Sequence, residues 1–181
     1  MKQALIIVDV QNDYFKGGLM ELSGAETVAD NIGRILEHCR LQGMLVVHVQ
    51  HIDNSSHPAF FFPNTEGARI NNRVLPAAGE KVITKHTPNS FQHTDLLPYL
   101  RNNNITDLLI TGMMTHVCID ATTKAAKDFG FNCTVIGDAC ATRDVEVLGN
   151  KVKAVDVQNA MLAALSFYYA TIRTTSEMMQ L

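Results

Sequence analysis

With 181 residues, 46% hydrophobic and 18% charged, the chain holds enough apolar material for one filled domain and little to spare for tails. A net charge of −3 and a pI near 6.1, with no run of Lys or Arg, exclude a basic nucleic-acid-binding surface. The apolar run that ends at Asp9 is too short for a signal sequence or a membrane span, so a cytoplasmic protein without membrane contact is expected.

Strand and helix signals alternate along the chain. LIIVDV (5–10) is a continuous aliphatic run, as expected for a strand covered on both faces. Ser23-Gly24-Ala25-Glu26 has the pattern of a capping box opening a helix, in which Val28, Ile32, Ile35, Leu36 and Cys39 recur at helical spacing until Gly43. MLVVHVQ (44–50) predicts a second strand. Residues 51–80, with PAFFFPNTEG in their middle, have no periodicity, and long loops inside compact domains are usually functional. KVITK (81–85) is the third strand, a helix is expected around 95–102, and DLLIT (107–111) is the fourth strand.

LLITGMMTHVCIDATTKAAKDFGF (108–131) reads as a strand, a Gly-containing bend and a helix that opens around Cys118 and stops at Gly130. NCTVIGD (132–138) is a fifth strand, Val157, Met161, Ala164, Leu165 and Tyr168 mark a late helix, and ATIRT (170–174) is a sixth strand. Thr115 is expected as an N-cap, and Arg143 and Asp144 as local pairing or capping residues. The succession predicts one α/β domain over 1–181, with helices on both faces of a parallel, doubly wound sheet.

The four cysteines show neither CxxC spacing nor a disulfide framework, so reduced thiols are expected, with Cys39 and Cys133 in the core and Cys140 in a loop. Cys118 is different. A thiol in the first turn of a helix faces unpaired N–H groups and the positive end of the dipole, and both favour thiolate. In doubly wound sheets ligands gather at the carboxyl ends of strands, and Asp9, Lys85 and Cys118 each lie at or just past such an end. Together they make chemical sense. The carboxylate can accept the thiol proton and return it to a leaving amine, the ammonium can hold the carboxylate, and the thiol can attack a carbonyl. Backbone N–H groups of the Met113–Met114 bend and of Cys118 are positioned to meet the resulting oxyanion.

ALIIVDVQNDYF with Asp9, VITK with Lys85 and TGMMTHVCIDAT with Cys118 closely resemble the isochorismatase-like cysteine hydrolases, a superfamily that includes nicotinamidases, N-carbamoyl amidohydrolases and isochorismatases. The resemblance runs from the first strand through DACATRD (138–144) to the final helix. It implies a Rossmann-like three-layer α/β/α fold with six parallel strands in the order 3-2-1-4-5-6. It also implies an Asp9–Lys85–Cys118 triad, an oxyanion hole from the amides of Met114 and Cys118, a cis peptide at Met113–Met114, and a homodimer or homotetramer.

Nicotinamidases of the superfamily carry a metal after the second strand on an Asp-x-His pair and a further His. Here His48, His51, Asp53 and His57 fall in that region, but His51-Ile52-Asp53 reverses the order. No cofactor is therefore expected, with a divalent metal near those four residues as the alternative. Isochorismatases proper split a vinyl ether without a cysteine nucleophile, so the presence of Cys118 favours a small amide or related C–N bond. The alternatives are ether hydrolysis by Asp9 and a catalytically silent binding module, while the absence of GxGxxG from the first βα connection argues against a dinucleotide. Substrate contacts are expected from Gln11, Phe15, Phe61, Phe62, Phe91 and Met113.

Overall fold

The computed structural model describes residues 2–180. Six parallel strands form the central sheet: β1 (Gln3–Val8), β2 (Leu45–His51), β3 (Lys81–Lys85), β4 (Asp107–Met113), β5 (Asn132–Ala141) and β8 (Thr171–Arg173), in the order β3-β2-β1-β4-β5-β8. That is the order expected from the sequence, with β8 as the sixth sheet strand. Two short strands between β5 and β8, β6 (Val145–Val147) and β7 (Asn150–Val152), pair antiparallel as a separate hairpin. The helices are α1 (Ala25–Leu41), α2 (Leu96–Asn102), α3 (Asp120–Asp128), α4 (Ala154–Tyr168) and α5 (Thr175–Met178). Among the described residues, no helix is long and apolar enough to cross a membrane.

Strand alternation divides the core into two layers. Leu5 and Ile7 of β1 join Ala29, Ile32, Ile35 and Cys39 of α1 and Met178 of α5 on one face. Ala4, Ile6 and Val8 join Leu96 and Leu100 of α2, Ala126 of α3 and Leu165 of α4 on the other. β1 therefore lies between two apolar layers, which is why its sequence is aliphatic without interruption.

The departures from expectation have local causes. β1 ends at Val8 because Asp9 turns to a left-handed φ of 53°, a conformation that Asp tolerates better than most residues. The capping box expected at the start of α1 is not formed. Gly24 is the N-cap at φ 70°, Glu26 accepts from the Lys16 amide (3.4 Å), and Ser23 donates its own amide to the Thr142 carbonyl (2.9 Å). A capping box does open α5, between Thr174 and Glu177. Asp144 caps α4 as anticipated, its Oδ1 accepting from the Ala154 amide (2.9 Å).

The 51–80 segment carries one 3-10 turn, Asn72–Val74, and is tied to the chain after β1. Asp13, buried, accepts from the Phe61 amide at Oδ2 (2.7 Å) and donates its own amide to the Gly67 carbonyl (2.8 Å). Gly67 must be glycine here, since a Cβ would overlap the Asp13 carboxylate. The far end of the segment is fixed by Glu80. It pairs with Arg40 through both oxygens (2.7 and 2.8 Å), takes the Nε2 of His48 (2.9 Å) and caps the Ala77 amide (2.8 Å).

Two outcomes are expected. Gly112 in β4 has φ 128°, and a Cβ there would collide with the backbone of Val8, one residue from Asp9. Gly112→Ala should lower stability by roughly 3 kcal/mol or more in urea unfolding. The Arg40 hydrogen bonds outweigh burial and hold the Glu80 carboxyl down at about 2. A depressed carboxyl stabilises the fold above its ordinary pKa and loses that contribution as the pH falls. Glu80→Gln should therefore cost roughly 2 kcal/mol at pH 7, and the gap to the wild type should close as the pH falls from about 5 towards 2.

Candidate active site

Four neighbouring strands deliver polar groups to one edge of the sheet. Asp9 follows β1, His51 and Lys85 are the last residues of β2 and β3 and stand opposite each other in register, and Cys118 lies just beyond β4. Lys85 Nζ is 2.8 Å from Asp9 Oδ2, and both side chains are fully buried. The same ammonium donates to the carbonyls of Thr87 (3.0 Å) and Pro88 (2.9 Å), which orient it towards the carboxylate. His51 Nδ1 is 4.0 Å from Asp9 Oδ2. The ligand-type atoms of Asp9, His51 and Cys118 all lie within 4.8 Å of one another. Both carboxylate oxygens of Asp9 are buried, and neither takes part in a hydrogen bond.

The thiol is not carried by the first turn of an α-helix. Cys118 belongs to a π-helical turn, Thr115–Ile119, and α3 begins only at Asp120. Such turns concentrate at functional sites. The peptide between Met113 and Met114 at the entrance to this turn is cis. Thr115 is no N-cap. Its hydroxyl donates to the Ala141 carbonyl (3.1 Å) and meets Gln158 Oε1 (2.6 Å), while the Gln158 amide donates to the carbonyls of Gly137 and Cys140 (2.9 and 3.1 Å). Gln158 of α4 thus fixes the cysteine turn to β5.

The electrostatics reverse one expectation. Burial, followed by the adjacent Asp9 charge, raises the pKa of Cys118 well above that of an ordinary cysteine, and Lys85 offsets this only in part. Burial and the Asp9 charge both act against the thiolate that a helix N-terminus would favour. Burial acts to lower the Lys85 pKa, but its charged neighbours, Asp9 first among them, outweigh it and the ammonium is held above its usual value. Burial lowers His51 and keeps its imidazole neutral, against the pull of Asp9. Tyr14 is raised by burial and by the negative charge of the same cluster, and it is a neighbour that periodicity did not identify.

The residues expected to touch substrate are placed differently. Gln11 is fully buried and uses its amide on backbone, donating to the carbonyls of His51 and Ala68 (2.8 and 2.7 Å) and accepting from the His51 amide (2.7 Å). Phe15 is buried beneath the Arg73 guanidinium. Phe61 has no exposed surface. It packs edge-on against Tyr14 and Phe60 and lies 5.9 Å from the His51 ring, so it supports the imidazole. Phe62 is half-buried, its carbonyl taken by the Thr65 hydroxyl (2.8 Å). Phe91 is buried, stacked on Phe131 and tilted against Phe129, so its ring is used in the core beside α3. Met113 lies wholly in the α1-side core.

The opening nearest the cysteine turn is a cleft of about 490 Å³ lined by residues that include Met114, His116, Arg143, Asp144 and Glu146. No residue pattern announces it, because the β6–β7 hairpin turns at Leu148-Gly149, both at positive φ, without the Asn-Gly or Asp-Gly that marks such turns. The four residues considered for a metal do not converge. His48 is engaged by Glu80, Asp53 binds the Ser55 amide (2.9 Å), His57 is exposed beside Ser56, and only His51 faces Asp9. That set does not fit a metal centre.

The isochorismatase domain model matches residues 3–177. An uncharacterised isochorismatase family protein of Bacillus subtilis (strain 168), YddQ, is 45% identical over 175 residues, 97% of each chain. The N-carbamoylsarcosine amidase of an Arthrobacter species is 30% identical over 147 residues, 72% of this chain and 56% of that protein. A crystal structure described as an isochorismatase hydrolase from Oleispira antarctica superposes with a TM-score of 0.95 at 43% identity, covering 99% of this chain and 97% of that one. Sheet order, length and sequence agree throughout: the chain is a hydrolase of the isochorismatase family.

Proposed function

We propose that the chain hydrolyses a small-molecule amide or related C–N bond through a Cys118 acyl-enzyme. The observation that carries this reading is the buried Lys85–Asp9 pair at 2.8 Å with the Cys118 thiol beside it. As Cys118 Sγ attacks the carbonyl carbon, its proton passes to Asp9, and the amides of Met114 and Cys118 receive the oxyanion. When the tetrahedral adduct collapses, Asp9 returns that proton to the departing amine, leaving a thioester. Water, deprotonated by Asp9, then attacks the thioester; the acid departs and Asp9 restores the proton to the sulfur. Lys85 takes no proton and keeps Asp9 oriented. The name of the Arthrobacter relative, an amidase, supports C–N chemistry over ether cleavage.

The substrate is a small molecule that enters by the cleft beside Met114, and the chemistry calls on no metal. The four cysteines, all free, suit a reducing compartment such as the cytoplasm. We also read the chain as a homodimer or homotetramer. α4 is apolar around its circumference yet leaves Val155 (64%), Phe167 (92%) and Tyr168 (66%) exposed, whereas helices of that composition are normally covered.

Two experiments test these readings. Cys118→Ala should abolish amide hydrolysis, and Asp9→Asn should lower kcat about 10²–10⁴-fold, both read across a panel of small amides and carbamoyl compounds. Cleavage of a vinyl ether that survives Cys118→Ala would favour Asp9-centred ether chemistry instead. Light scattering should give a mass of two or four chains, and Phe167→Glu should reduce it. A monomeric wild type would contradict the assembly.

A further inference from the structure

We propose that Asp9, His51 and Cys118 form a site for a thiophilic divalent cation, of which zinc is the type, and that its occupancy switches the enzyme off. A thiol, an imidazole and a carboxylate with their ligand atoms within 4.8 Å of one another make a donor set suited to zinc rather than to magnesium or calcium. A tetrahedral ion with bonds of the usual length separates such donors by roughly 3.3–3.8 Å, so side-chain shifts of about 1 Å close the site and leave a fourth position open.

A second observation comes from Asp9, whose carboxylate is fully buried with neither oxygen in a hydrogen bond. Lys85 (2.8 Å) and His51 Nδ1 (4.0 Å) both approach Oδ2, so the carboxylate can keep its ammonium on one side and offer an oxygen to a cation on the other. The imidazole is already held in place: Gln11 clamps the His51 backbone from both sides and the Phe61 ring lies beside the imidazole. This donor set differs from the loop residues His48, Asp53 and His57, which do not converge.

On binding, the Cys118 S–H bond breaks, the proton leaves to solvent and the sulfur lone pair bonds the cation; nothing is oxidised or reduced. With its sulfur on the metal and its carboxylate shared, the site has neither a free nucleophile nor a free base. Binding needs only the three side chains in place and goes beyond the catalytic reading, whereas the silencing rests on it.

The test is a Co²⁺ titration of the reduced, chelator-treated full-length protein without substrate. A near-ultraviolet thiolate-to-cobalt band and intense visible bands should saturate at about one ion per chain. Cys118→Ala should remove the near-ultraviolet band, His51→Ala should weaken binding at least about tenfold, and Zn²⁺ should displace the cobalt. His51→Gln replaces the alanine variant if the latter fails to fold. No thiolate band at millimolar cobalt would overturn the proposal. So would a band that survives Cys118→Ala, since it would place the ion on Cys39, Cys133 or Cys140, and so would unchanged affinity on replacing His51. Amide hydrolysis should fall with added Zn²⁺ and return with chelator, and full activity of the zinc-saturated protein would overturn the switch. Cobalt binding in a protein that hydrolyses no amide would leave the site standing and remove the amidase reading alone.

Discussion

A lysine and an aspartate face each other at 2.8 Å with no solvent access, and the rest of the catalytic edge is arranged around that pair. Two charges taken from water at this depth persist only if each neutralises the other and the remaining donors are satisfied. Lys85 meets that condition through the Thr87 and Pro88 carbonyls. Asp9 meets it only in part, through the ion pair with Lys85, since neither of its oxygens takes part in a hydrogen bond. Removing either partner would leave a buried unpaired charge, a loss of about 3–5 kcal/mol. The pair therefore requires the ends of β1 and β3 to lie at one height across the intervening β2, which the parallel registers of β1 with β2 and of β2 with β3 provide.

The pair also decides the state of the nucleophile. A thiol beside an isolated lysine would ionise readily, but here the carboxylate is nearby and burial penalises a further anion. Proton transfer is thereby confined to the moment of attack. In the proposed mechanism Asp9 is the base because Lys85 holds it in place, and the thiol becomes a strong nucleophile only as its proton leaves. The same balance leaves Asp9 ready to protonate a poor leaving group such as an amine, which a preformed thiolate–lysine pair would not supply.

Much of this was legible in the residues. Uninterrupted aliphatic runs gave the parallel strands, and the rule that ligands gather at strand ends selected Asp9, Lys85 and Cys118 before any geometry was known. Less legible was whatever depends on contacts between distant segments. Gln11 and Phe61 read as substrate contacts because they flank the motif and lie in a polar loop, yet their partners, His51, Ala68 and Asp13, come from segments that no periodicity links to them. The capping box at Ser23 failed because Gly24 satisfied the helix start and Glu26 found the Lys16 amide. Helix position, which favours a Cys118 thiolate, is visible in a sequence, whereas burial beside a second charge, which opposes it, is not.

The central claim, a neutral resting thiol whose proton goes to Asp9, is tested most directly by thiolate absorbance near 240 nm. It should be measured as the difference between the wild type and Cys118→Ala while the pH is raised. A neutral resting thiol predicts no Cys118 thiolate signal through the ordinary cysteine range around pH 8.5, and a downward shift of its appearance in Asp9→Asn. A thiolate already present at neutral pH in the wild type would contradict it.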